Sequence, residues 1–139
     1  MGVIRVLDEE RIEQLLRTAL VGRIACASPE VDNGRPFLVP LAYGYDGAAV
    51  YGHSGPGRKI RTMRRNALAC FEVDSAEEAD RWVSVICEVI YEELTDSAAR
   101  AAGLRVVYPE PRDVPDLPDD TVVYRLVITQ RSGRYELPE

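Results

Sequence analysis

Lysine is nearly missing from this chain: of its 17 Lys and Arg residues only one, Lys59, is a lysine. Histidine and tryptophan are as scarce, with His53 and Trp82 each standing alone. A lone histidine leaves no Cys/His zinc spacing. The three cysteines, Cys26, Cys70 and Cys87, are odd in number and embedded in apolar sequence, so buried reduced thiols are expected rather than a disulfide framework. No apolar run is long enough for a membrane-crossing helix. The opening Met-Gly-Val-Ile-Arg-Val-Leu-Asp-Glu-Glu turns acidic where a secretion signal needs apolar residues, so a cytoplasmic protein is expected. A formal charge of −6 argues against nucleic-acid binding, which needs a basic face. There is no βαβ alternation and no Gly-x-Gly-x-x-Gly after a first strand, which speaks against a Rossmann site. At 139 residues, one domain spanning 1–139 is the simplest organisation.

Positive charge is concentrated instead. Residues 51–66 read Tyr-Gly-His-Ser-Gly-Pro-Gly-Arg-Lys-Ile-Arg-Thr-Met-Arg-Arg-Asn. A strand-like run passes through Gly55, Pro56 and Gly57 into a short basic helix. That arrangement suits a phosphate: free N–H groups and the dipole at the helix start face it, and Lys59 or Arg58 supplies full charge. The same residues also read as an ordinary turn followed by a solvated basic helix.

Elsewhere the pattern is mostly strands. Asp8 is placed as an N-cap, and Ile12, Leu15, Leu16, Ala19 and Leu20 recur at helical spacing, so an amphipathic helix covers something and is expected to end at Gly22. Residues 23–28 read as a strand, Asp32-Asn33-Gly34 as a hairpin turn, and 36–45 as a second strand whose Leu38, Pro40, Ala42 face has little bulk. Asp46-Gly47 turns into a third strand over 48–53. After the basic helix, 67–73 is a short strand, 74–80 an acidic turn, and 82–94 a long strand with Val83, Val85, Cys87, Val89 and Tyr91 on one face. Thr95 or Asp96 caps a short helix reaching Ala102, with Gly103 near its end. A proline-rich loop leads to a last strand over 121–130, from which Ser132-Gly133-Arg134 turns away. Six strands in hairpin order with one covering helix predict an α+β antiparallel barrel.

The ordered set Val21-Gly22-Arg23-Ile24-Ala25, Gly34-Arg35-Pro36-Phe37-Leu38-Val39-Pro40-Leu41, Val50-Tyr51-Gly52-His53-Ser54 through Gly57-Arg58-Lys59, Ala69-Cys70-Phe71-Glu72-Val73 and Trp82-Val83-Ser84-Val85 resembles the FMN-binding split barrels. These form the pyridoxamine 5'-phosphate oxidase-like superfamily, and the pattern is similar to its 5-nitroimidazole resistance branch. The resemblance covers residues 8–95. It implies a six-stranded split β-barrel and a homodimer with FMN in clefts between subunits. By position, Arg58 and Lys59 would hold the phosphate, with His53 and Ser54 beside the cofactor. Val39, Pro40, Leu41 and Ala42 would lie along the isoalloxazine, and Trp82 and Ser84 would approach from the long strand. The implied activity is reduction of a small acceptor, nitroaromatic among the candidates, by a reduced nicotinamide donor, with His53 as the candidate proton donor. A non-catalytic flavin, haem or deazaflavin carrier is the alternative. Gly44 stands where true pyridoxamine phosphate oxidases carry a basic residue, and their C-terminal Arg-x-His pair is absent, so vitamin B6 oxidation is not expected. Glu88 replaces a glycine common in relatives, which raises the question of the strand path there.

Overall fold

The computed structural model describes residues 2–139. Eight antiparallel strands curl into one sheet that forms a half-barrel, with three α-helices around it. The strands are β1 (Gly2–Val6), β2 (Val21–Cys26), β3 (Phe37–Ala42), β4 (Gly44–Tyr45), β5 (Ala49–Ser54), β6 (Leu68–Glu78), β7 (Arg81–Leu94) and β8 (Val122–Pro138). Their spatial order is β3-β2-β6-β7-β8-β5-β4, with β1 added to the far part of β8. β3 and β4 end the order on opposite sides, and between them the barrel is split.

The helices are α1 (Glu9–Thr18), α2 (Arg58–Arg65) and α3 (Ser97–Val107). Asp8 caps α1 as its sequence demands, its carboxylate accepting from the Arg11 N–H at 2.9 Å. Ile12 and Leu16 are buried beneath it, each burial worth about 1.5–3 kcal/mol. Inside the barrel, Phe71, Val73, Val85, Cys87, Val50, Tyr124 and Leu126 are fully buried. They come from alternate positions of their strands, because strand side chains point to opposite faces.

Several expectations are corrected. There are eight strands, not six: β1 lay unrecognised in the N-terminal residues, and the run 36–45 divides into β3 and β4. α1 ends at Ala19, and Gly22 lies within β2, where a β-carbon would sit 2.3 Å from the Phe71 ring. β6 continues through the supposed acidic turn to Glu78. Gly103 lies inside α3, which runs on to Val107. Ser132-Gly133-Arg134 continues β8, pairing with β7, and Leu7 docks its N–H on the Gly133 carbonyl at 2.9 Å. Cys70 is exposed, whereas Cys26 and Cys87 are buried. Beside Glu88 the register of β7 on β8 slips, with Glu88 opposite Gln130 and Val89 opposite Ile128. Thr129 is the extra residue of that bulge.

Candidate functional site: the glycine loop and the start of α2

β5 carries His53 and Ser54 to its end, and Gly55, Pro56 and Gly57 turn the chain into α2. Gly57 is the N-cap and has no side-chain oxygen to offer, so the first N–H groups of α2 are left without a capping side chain. A β-carbon built on Gly55 or Gly57 would meet nothing within 4 Å, so the space in front of the loop is open. Ile60 and Met63 anchor the helix in the core, as their spacing predicts.

Lys59 is half-buried and, among the described residues, makes no ion pair. Burial, as the main cause, holds its ammonium below the usual lysine pKa, the mark of a cation lacking a counter-charge. Arg58 is differently placed. Its guanidinium lies 4.5 Å over the centroid of Phe37 and its Nε is 3.0 Å from Asp32 Oδ2. That contact is an ion pair without hydrogen-bond alignment, since Arg58 Nε is buried with no hydrogen-bond partner among the described residues. One unpaired ammonium, one unsatisfied guanidinium N–H, the uncapped helix start and open space together fit a phosphate group.

His53 Nε2 lies 2.7 Å from the Tyr108 hydroxyl. Tyr108 is the C-cap of α3, so a loop-distant residue closes over the end of β5. Burial first, and then the Lys59 charge, pushes the His53 imidazole below its ordinary pKa. Ser54 is turned to its neighbour, donating to the Gly55 carbonyl at 2.6 Å.

β3 flanks this corner. Val39 and Leu41 pack on the core, while Pro40 and Ala42 are exposed. Because β3 ends the sheet order, one edge of its backbone pairs with no strand among the described residues, and its N–H and C=O groups there are free for a ligand. Pro40 is tolerated there for the same reason. A β-carbon on Gly52 would lie 3.1 Å from Leu41 Cδ1, and Phe37 carries Arg58, so β3, β5 and α2 converge.

Trp82 and Ser84 are not part of that convergence within one chain. Along β8, His53 is level with Val123 and Leu94, while Trp82 is level with Glu136. Twelve residue steps along β7 lead from Trp82 to Leu94, roughly 40 Å of strand. Trp82 lines an open groove of about 420 Å³ with Arg11, Leu15, Tyr135 and Glu136, and its indole N–H donates to Glu136 at 2.7 Å. Ser84 donates to Glu72 at 3.0 Å on the outer face of the sheet. The register puts Leu38, Ala25, Cys70, Leu68, Ile86 and Ile90 on that same face. Leu38 is 68% exposed, Leu68 66% and Ile86 51%.

Tyr108, Asp32 and Phe37 escaped the sequence reading as site residues. In the sequence Asp32 reads only as a turn residue, and nothing local marks Tyr108, which sits 55 positions from its partner. Among the described residues no cluster of side chains suits a metal ion, and no helix is long and apolar enough to cross a membrane.

Comparison with known proteins finds relatives along nearly the whole chain. Residues 8–135 match the family model described as pyridoxamine 5'-phosphate oxidase. A crystal structure of an FAD-binding protein from Mesorhizobium loti is 33% identical with a TM-score of 0.78, covering 97% of this chain and 99% of that one. A candidate 5-nitroimidazole antibiotic resistance protein from Bacteroides thetaiotaomicron superposes with a TM-score of 0.81 at 23% identity, over 97% of this chain and 89% of the other. An uncharacterized protein of Rhizobium meliloti (strain 1021) is 29% identical over 91 residues, 66% of this chain, and the match spans 58% of that relative's length.

Proposed function

The chain belongs to the pyridoxamine 5'-phosphate oxidase family, and from that premise we propose that it is an FMN-binding oxidoreductase. It works as a homodimer, moving electrons from a reduced nicotinamide donor to a small acceptor of the nitroaromatic kind. The observation that carries the proposal is Lys59: the chain's one lysine stands half-buried and without a counter-charge, directly behind a glycine loop with open space in front of it. An uncompensated cation in that position is costly unless an anion is meant to join it.

Lys59, the Arg58 Nε–H and the first N–H groups of α2 would hold the phosphate. The free edge of β3 at Val39, Pro40, Leu41 and Ala42 would offer backbone groups to the ring. Bound flavin would supply the two-electron chemistry. The chain's own contribution is to bind, orient and exclude water. His53 and Ser54 are placed at the strand end beside the loop, where His53 is the candidate proton donor.

The outer sheet face supports the homodimer. Leu38, Leu68 and Ile86 expose apolar surface on one outer face of the sheet, from the edge strand β3 to the central strand β7, where a second copy of the chain would cover it. Trp82 and Ser84, far from Lys59 within one chain, would then approach the cofactor held by the other copy. Oxidation of phosphorylated vitamin B6 is disfavoured, because the place of a basic side chain at Gly44 is filled by the backbone of α3.

The test is to purify the protein and examine it for flavin colour, identify the co-purifying molecule by mass, and add NADH or NADPH without air. Loss of the flavin absorbance, restored by a nitroaromatic, is the expected result. A bound flavin that neither donor reduces would assign the protein to storage or sensing, and absence of flavin binding at all would refute the reading.

A further inference from the structure

Among the described residues, the Tyr108 hydroxyl is the one hydrogen-bond partner of the His53 side chain. Their rings lie 5.7 Å apart, tilted by 35°. A phenol keeps its proton at neutral pH, and beside a neutral imidazole it is the better acid, while the bare ring nitrogen is the better acceptor. Half-burial first, and then the nearby ammonium of Lys59, lower the pKa of the imidazole and so favour its neutral form. Tyr108 is itself fixed by rigid parts. Its backbone N–H closes α3 on Leu104 at 2.8 Å, Gly103 seats the helix on Leu94, Val123 and Tyr51, and Val106 lies on Gly44.

We propose that Tyr108 is a positioning residue: its hydroxyl donates to His53 Nε2 and thereby fixes the imidazole as the Nδ1–H tautomer. A histidine so held is not a base through Nε2. Its other nitrogen is a hydrogen-bond donor, and among the described residues nothing accepts from it. That donor, together with the cation of Lys59, suits an anionic ligand. The identity of the anion as a flavin phosphate rests on the functional reading above, whereas the tautomer does not.

His53 is the only histidine in the chain, so one imidazole gives the whole signal. The experiment is a long-range proton–nitrogen correlation spectrum of the ligand-free, nitrogen-15-labelled protein near neutral pH, for wild type and Tyr108→Phe. The wild type should show Nδ1 protonated and Nε2 bare, in a single tautomer. Tyr108→Phe keeps the aromatic ring beside His53 and loses the donor. Its two nitrogen signals should move toward an average of both tautomers, and the His53 titration midpoint should rise because the neutral form has lost a hydrogen bond. A wild-type ring protonated on Nε2 overturns the proposal by itself, whether or not the variant folds. A Tyr108→Phe spectrum unchanged from wild type overturns it too. Because the spectra are recorded without ligand, failure to bind FMN would remove the functional reading and leave this one intact.

Discussion

Gly44 and Val106 are in backbone contact: a β-carbon on Gly44 would lie 2.3 Å from the Val106 carbonyl oxygen and 2.7 Å from the Val107 nitrogen. The last turn of α3 therefore rests on β4 with no room for a side chain between them. A helix backbone cannot swing aside as a long side chain can, so the contact ties the position of residues 97–107 to the absence of a side chain at 44.

Gly44→Ala should accordingly cost about 1–3 kcal/mol, the usual range for overpacking. The measurement is a denaturant titration. A fall in the midpoint with unchanged slope is expected, and wild-type stability would mean that α3 sits elsewhere.

Replacing Lys59 should separate binding from stability. A charge-assisted hydrogen bond is worth about 1.5–3 kcal/mol, so Lys59→Met should weaken FMN binding roughly ten- to a hundredfold. The folded apoprotein should lose nothing and gain slightly, since the ammonium is half-buried without a counter-charge. Flavin fluorescence titration and thermal unfolding read the two effects. Equal losses in both would mean that Lys59 is a structural residue.

Acid should destabilise the protein in two stages. His53 has a folded pKa below its ordinary 6.5, so the unfolded chain takes up a proton first, and stability falls as pH drops through that range. Glu13, bonded by Tyr45 and Arg131, and Glu93, bonded by Arg64, have folded values below the ordinary 4.5. Their stabilisation is present above that value and is lost as pH falls through their folded range. Thermal unfolding from about pH 7.5 to pH 5.5 should show the first stage in wild type, and His53→Gln should remove it. A His53→Gln profile that still falls above pH 5.5 would assign that stage to another group.

The outer sheet face can be tested by charge. Ile86, 51% exposed on the central strand β7, should tolerate glutamate in the monomer fold, yet Ile86→Glu should convert a dimer to monomers in analytical ultracentrifugation. Burying an unpaired carboxylate in an apolar interface is strongly unfavourable. FMN affinity should drop with it if the cofactor lies between subunits. A variant that stays dimeric would move the interface off this face.

Much of the architecture was legible. Asp8 announced its helix, Asp46-Gly47 its hairpin, and the alternation Val83, Val85, Cys87, Val89, Tyr91 its buried strand face, each through chemistry that acts within a few residues. Three of the misreadings share one cause. Gly22, Gly103 and Gly133 read as punctuation in the sequence because glycine ends helices and makes turns. In the fold their missing side chains make room for Phe71, Leu94 and Leu7, neighbours that sequence order does not reveal. β1 was missed for a similar reason, since its partners on β8 are more than a hundred residues away.

What the sequence determined by itself is whatever depends on near neighbours: the hairpins, the capped helices, the glycine loop with Arg58 and Lys59 behind it. The tertiary structure alone decided that Lys59 has no counter-charge among the described residues while Arg58 leans on Asp32 and Phe37, that Tyr108 meets His53, and that Trp82 stands at the other end of the sheet. Local dihedral and hydrogen-bond preferences fix the first set, whereas the second follows from how a twisted sheet closes on itself and which distant surfaces it brings into contact.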